Sequence, residues 1–187
     1  EGPPLRPEER AELHRNLGAV YFERQDPALA IDHTRQALEL SRETYGEAHP
    51  RTLETLQNLA AMLYVDGRPG EAQAMGWRAV TAPEEAYGSD DPRLASMLSN
   101  LAVMHMTPKD ADRAEALLSR AADIVRRHWG PTHRELAAIE VNLARVLHLR
   151  GDDEGAASTA AAALEVYTSV LGPDHPESKE AAELLAA

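Results

Sequence analysis

Three of the eight histidines, His49, His133 and His175, stand on one column at multiples of 42 residues, and they are the first candidates for metal chemistry. Zinc needs imidazole nitrogens at about 2.0–2.1 Å. Neighbouring helices pack about 8–10 Å apart, so residues one repeat apart cannot share an ion without distortion. The expected role is a linker position, next to Pro50 and Pro176 in two of the three cases, and no metal is expected. The acidic run Asp152-Asp153-Glu154 follows Gly151 at an expected helix start, where carboxylates complement the helix dipole. That suffices to explain it without a cation. There is no His-Glu-x-x-His, no glycine-rich phosphate loop after a strand and no Gly-x-Ser-x-Gly. Without cysteine there is no thiol chemistry and no disulfide. Neither enzymatic activity nor a cofactor is expected.

A second column is better suited to binding. Asn16, Asn58, Asn100 and Asn142 recur every 42 residues, and each carboxamide offers both a donor and an acceptor. From Glu54, steps of four, three and three reach Asn58, Ala61 and Tyr64, which is the spacing of one helix face. The same face carries Glu12, Asn16, Ala19 and Phe22, then Ser96, Asn100, Val103 and Met106, then Ala138, Asn142, Arg145 and His148. Phe22, Tyr64 and Met106 would supply apolar contacts, Met being adaptable in shape. Arg15 and Arg145 would hold acidic groups; Glu12, Glu23 and Glu54 would hold basic ones. The competing reading of the Asn column is internal: each side chain bonds a neighbouring helix and fixes the stack without any ligand.

The elements that place this face follow from the repeat. In the second copy, Leu53, Leu56, Leu59, Ala60 and Leu63 mark one buried helical face. Gly67-Arg68-Pro69 makes a turn, and a second helix runs through Ala72, Met75, Ala79 and Val80 to a stop at Tyr87-Gly88. Asp91-Pro92 is expected to open the next helix as N-cap and first residue. His49-Pro50, His133-Arg134 and His175-Pro176 hold the equivalent place. Gly46, Gly88, Gly130 and Gly172 repeat the stop, while the turn inside each repeat has Gly67 and Gly151 but Gln25 and Lys109 in the other two copies. Pro83 removes a donor inside the second helix of its repeat, so a kink or short break is expected near Thr81. Fixed-period similarity implies stacked units, because one helical hairpin alone buries too little apolar surface.

These offsets resemble tetratricopeptide repeats of the 42-residue, kinesin-light-chain-like kind. The small residues Gly18, Ala60, Ala102 and Ala144 lead to Ala30, Ala72, Ala114 and Ala156, then to Ala37, Ala79, Ala121 and Ala163. Gly46-Glu47-Ala48-His49-Pro50 and Gly172-Pro173-Asp174-His175-Pro176 are similar to the family's linker. The sequence departs from the pattern at the aromatic column, where only Tyr21 fits and Leu63, His105 and Leu147 replace it. It also departs at a large second-helix position, held by Thr34, Gly76, Leu118 and Ala160. The resemblance implies an all-α, right-handed α-solenoid of four hairpins and a closing helix. The repeats are placed at residues 5–45, 46–87, 88–129 and 130–171, with the closing helix at 175–187, in a single domain 1–187. It also implies that the first helices line a concave groove in which Asn16, Asn58, Asn100 and Asn142 contact the main chain of an extended peptide.

Composition bounds the partners. Net charge is −12, with no basic stripe, so nucleic acid is not expected. Arg126-Arg127-His128 fits a helix C-terminus better than a phosphate site. No stretch reaches the ~20 apolar residues that span a bilayer, so no membrane partner is expected, and a cytoplasmic location fits the lack of cysteine. Arginine outnumbers lysine 17 to 2, which points to a GC-rich bacterial source. A start at Glu1-Gly2-Pro3-Pro4 suggests a segment of a longer protein. Trp129 shares a column with Tyr45, Tyr87 and Leu171 and is expected to pack at a repeat junction. Trp77 has no such company, and exposure or folding back over Gly76 are both open. The expected function is a non-catalytic protein-interaction module that grips a peptide or partner domain. The alternative is an architectural or self-associating segment of a larger enzyme or signalling protein, since Leu184, Leu185, Ala186 and Ala187 form an apolar tail.

Overall fold

The structure is a computed structural model that describes residues 4–186; Glu1, Gly2, Pro3 and Ala187, which figure in the sequence reading of the termini, lie outside the described residues. Among those described there are nine α-helices and no strand. They are α1 (Pro7–Glu23), α2 (Pro27–Tyr45), α3 (Pro50–Val65), α4 (Pro69–Tyr87), α5 (Leu94–Val103), α6 (Ala111–Trp129), α7 (Arg134–Leu149), α8 (Asp153–Leu171) and α9 (Pro176–Ala186). None is long and apolar enough to cross a membrane. The chain forms two compact units, Glu1–Ser89 with α1 to α4 and Asp90–Ala187 with α5 to α9. Within each unit, helices pack mainly on their neighbours in chain order, as hairpins stacked on hairpins do.

The alanine columns are the seams of both units. Ala30, Ala37, Ala60, Ala72, Ala102, Ala114, Ala121 and Ala163 are wholly buried, and Ala79, Ala144 and Ala156 nearly so. Gly18 belongs to the same seam: a Cβ there would meet the Thr34 hydroxyl. That hydroxyl donates to the Ala30 carbonyl at 2.8 Å, so Gly18 is matched to a larger partner on α2. Leucines fill the first unit (Leu53, Leu56, Leu59, Leu63), while Leu98, Leu101, Leu118, Ile124, Leu136 and Ile139 fill the second. Ala181 and, in part, Leu184 of α9 close over Ala137, Val141, Ala163 and Tyr167. Leu184 is therefore packed, and only Leu185 of the tail's two leucines is exposed.

The repeat ends follow the glycine column. Gly46, Gly88, Gly130 and Gly172 have φ between 88° and 93°, a region L side chains avoid. The histidine column has a definite task at the other end. His49, His133 and His175 accept the main-chain N–H two residues on through Nδ1, at 3.2, 3.3 and 3.3 Å. Each satisfies one of the orphan donors of a helix start. The aromatic column supports two of them: Tyr45 stacks on His49 and Trp129 on His133, with ring centroids 4.6 and 5.4 Å apart. Asp26 and Asp152 cap α2 and α8 by accepting from Leu29 N and Gly155 N at 3.2 and 3.0 Å.

Three local expectations are corrected. The short break expected near Thr81 is absent: helix α4 runs continuously through Pro83 to Tyr87, with the proline buried near the helix end. Asp91 does not cap a helix at Pro92. It accepts from Arg93 N at 2.9 Å and pairs with the Arg93 guanidinium, and α5 begins only at Leu94. Helix α5 also ends at Val103, so Met106 lies beyond the helix, in a segment of short-range bonds leading to Asp110. That repeat has Thr107-Pro108-Lys109 where two others have a left-handed glycine. Gln25 does adopt the glycine conformation, at φ 59°.

Candidate functional site

In the first unit, Glu12, Asn16 and Ala19 of α1 and Glu54, Asn58 and Ala61 of α3 are all exposed. The residues four and three apart on each helix fall on the side away from the alanine seam. Arg15 is half-buried and reaches Glu54 Oε2 at 3.1 Å. This ion pair ties equivalent turns of α1 and α3, so neither charge is idle. Phe22 and Tyr64 are 39% and 40% exposed, at the C-terminal ends of the same helices. Among the described residues the side chains of Asn16 and Asn58 make no hydrogen bond.

In the second unit, Ser96 and Asn100 on α5 and Ala138 on α7 are exposed, and Val103 and Asn142 are half-buried. Arg145 donates to Asn142 Oδ1 at 3.2 Å and pairs with Glu180 of α9. His148 meets Asp153 across the turn at 2.8 Å. A depression of about 450 Å3 is lined by Met106, Arg145, His148, Leu149 and Leu185, among others. Met106, Arg145 and His148 thus come together there even though Met106 has left its helix.

Three further side chains adjoin the residues that sequence spacing singled out, and the face read from that spacing did not include them. Glu180 neutralises Arg145 from α9, Asp153 engages His148, and Val65 stands 70% exposed one residue beyond Tyr64. Val65 was signalled by the repeat: Glu23, Val65 and Leu149 share one register of the 42-residue period. The same geometry accounts for the basic trio. Arg126 pairs with Asp123 and with the buried Glu140, Arg127 pairs with Asp90 at 2.7 Å, and His128 bonds the Asp90 carbonyl at 2.9 Å. Burial pushes the Glu140 carboxyl up, against the opposing pull of Arg126. Trp129 is spent on His133, while Trp77 is 37% exposed.

No three histidine or carboxylate side chains among the described residues gather as a metal site. Other ion pairs, like Arg15–Glu54, join equivalent helices of successive hairpins. Arg35 reaches Glu71 at 2.7 Å and Arg134 reaches Glu177 at 2.7 Å. The Arg134 guanidinium holds the Glu177 carboxyl below the usual carboxylate range. The arrangement is suited to recognition: fixed polar groups and half-exposed apolar side chains on rigid helices.

Comparison with known proteins bears on the family and the fold. A family model described as tetratricopeptide repeat matches residues 9–85 and 93–169. No curated protein sequence matches the chain. Among solved structures, a putative kinesin light chain from Podosopora anserina with nearly identical TPR-like repeats superposes with a TM-score of 0.81 at 20% identity, covering 98% of this chain and 86% of that one. BtubC (BKLC) from P. vanneervenii gives 0.79 at 24% identity, covering 94% and 70%. A Rap protein complexed with competence and sporulation factor gives 0.74 at 18% identity, covering 97% of this chain and 49% of the other.

Proposed function

Because the chain belongs to the tetratricopeptide repeat family, we propose that it is a non-catalytic protein-interaction module that takes an extended peptide, or such a segment of a partner protein, on the face of its first helices. The observation that carries this reading is the state of Asn16 and Asn58. Both are exposed, and among the described residues neither bonds a neighbouring helix. The structural alternative for these two side chains requires such a bond. Each carboxamide is free to pair with both polar groups of a peptide unit, so the contact is indifferent to the ligand's side chains. Phe22 and Tyr64, and Met106 and His148 in the second unit, then supply selectivity. A solved Rap protein complexed with competence and sporulation factor supports the reading by analogy of fold.

The test is selection from a displayed random-peptide library on the whole chain, followed by calorimetry of the enriched peptide. Replacing Asn16 and Asn58 together by Ala removes two hydrogen bonds of about 0.5–1.5 kcal/mol each, so the expected loss of affinity is roughly 5- to 150-fold. The melting temperature should hold, since both positions face water. Unchanged affinity with a lowered melting temperature would assign the column to the scaffold. A second reading, self-association through the end of the second unit, is favoured by Leu185, 40% exposed beside the 450 Å3 depression. Sedimentation that changes with protein concentration, and is restored to a single species by Leu185→Glu, would support it.

A further inference from the structure

At the C-terminal ends of α1 and α3 a depression of about 500 Å3 is lined by Phe22, Glu23, Gln25, Pro27, Val65 and Asp66. Its apolar part is unusually open to water: Val65 is 70% exposed, more than any other large apolar side chain described, and Phe22 39%. Covering a side chain of that size is favourable in proportion to the apolar area removed from water. Its rim is acidic. Among the described residues Glu23 has no ion-pair partner. Among the described residues Asp66 pairs only with Arg68, at 3.8 Å, and that guanidinium is engaged more closely by Glu71 at 2.6 Å. Arg24, next in sequence, does not line the depression.

The second unit supplies the contrast. Its own depression uses His148, Leu149 and Asp153, each 126 residues after Phe22, Glu23 and Pro27. The hollow is therefore a product of the repeat, recurring at one register. There, however, the charges are matched in pairs, Arg145 with Glu180 and His148 with Asp153. Of these two depressions, that of the first unit has the unbalanced acidic rim. Small-molecule sites bury most of their ligand between enclosing walls, whereas here the floor itself is largely exposed. The shape suits one side chain presented by a larger partner.

We propose that the first-unit depression is the anchor site for an apolar side chain lying next to a lysine or arginine in a segment of a partner protein, the apolar group covering Phe22 and Val65 and the cation meeting Glu23 and Asp66. This rests on the interaction-module reading and adds the class of sequence the module selects. The charge contribution sets specificity and encounter more than affinity, so the preference should fade as salt is raised.

The experiment is parallel selection from a displayed random-peptide library on the whole wild-type chain and on the double variant Glu23→Lys, Asp66→Lys. Glu43→Lys, an exposed position at the far end of α2, serves as the control for charge alone. The wild type should enrich an apolar residue beside Lys or Arg. The double variant should enrich an apolar residue beside Asp or Glu, and Glu43→Lys should reproduce the wild-type pattern. For a synthetic wild-type-selected peptide, each reversal should weaken binding about two- to five-fold, as an exposed ion pair does. If the wild type enriches peptides without a basic neighbour, or the pattern survives reversal, the anchor assignment falls while the interaction module stands. If no peptide is enriched on the wild type, the module reading falls and takes the anchor with it. Circular dichroism checks folding, and Glu23→Gln, which keeps the side-chain size, repeats the comparison should the double variant not fold.

Discussion

His49, His133 and His175 are a residue-scale case of chemistry recruited for structure. A neutral imidazole with its proton on Nε2 leaves Nδ1 as an acceptor, and each of the three spends it on the N–H of the second helical residue. Caps of the usual types are worth about 0.5–2 kcal/mol. His49→Ala should therefore lower stability by about 1 kcal/mol, and His49→Asn, which keeps an acceptor, should recover most of it in urea titration. Equal losses for both variants would assign the effect to the stack with Tyr45 instead. The column itself was legible from its period, but the bonded atom was not, because spacing says which residues are equivalent and not what each one touches. A second pair, His14 and His33, was not singled out by the period at all. Their Nδ1 atoms lie 2.9 Å apart, with His33 stacked on Tyr21. Burial first, then the charge of His33, holds the His14 imidazole below its ordinary value. The unfolded chain then binds the proton more readily, so stability is full above about pH 6.5 and falls as pH drops through the lowered folded value. Urea melts of the wild type should show that fall on acidification, and His14→Gln should flatten it. An unchanged slope in the variant would exclude the pair as its source.

At the scale of elements, the repeat register dictated helix number and seam, while the departures from it were local, one of them a pair of positions that compensate one another. Gly18 faces Thr34, whereas the other three repeats keep alanine in the first helix (Ala60, Ala102, Ala144) whether the second carries Gly76, Leu118 or Ala160; in the first repeat the first helix gives up volume where the second supplies it. Gly18→Ala should be destabilising by about 1–3 kcal/mol through overpacking, despite alanine's better helix propensity. Adding Thr34→Ala should restore stability, since it recreates the pairing of the fourth repeat. Thermal melts of the two single variants and the double variant decide it: additive losses would mean that the two sites are independent. Helix α5 shows the limit of register. Its predicted start at Asp91-Pro92 and its predicted reach to Met106 were both read from equivalence with better-formed copies. Asp91 is instead consumed by Arg93, which holds its carboxyl below the usual range, and Thr107-Pro108 replaces the glycine turn. What the period could not reveal was competition from a neighbouring side chain.

For the molecule as a whole, the fold was legible because nearly every seam position is a small residue recurring every 42 residues, and a column of that kind has few structural solutions. The proposed binding face was legible as a direction on each helix but not as a set of free groups. Arg15 and Arg145 were expected to await acidic ligands, yet Glu54 and Glu180 approach from the next equivalent helix, contacts that depend on helix crossing. The same architecture determines how damage spreads. In the second unit the contacts run mainly from α5 to α6, α6 to α7, α7 to α8 and α8 to α9, so each helix is stabilised chiefly by its neighbours rather than by one shared centre. Leu98, wholly buried on α5, is far along that chain from α8 and α9. Leu98→Ala should cost about 2–5 kcal/mol where the cavity forms. Native-state hydrogen exchange should show that cost as lost protection in α5 and α6, with a smaller loss in α7 and little change in α8 and α9. A uniform loss of protection across all five helices would mean that they open as one cooperative body, and the nearest-neighbour description of this unit would have to be abandoned.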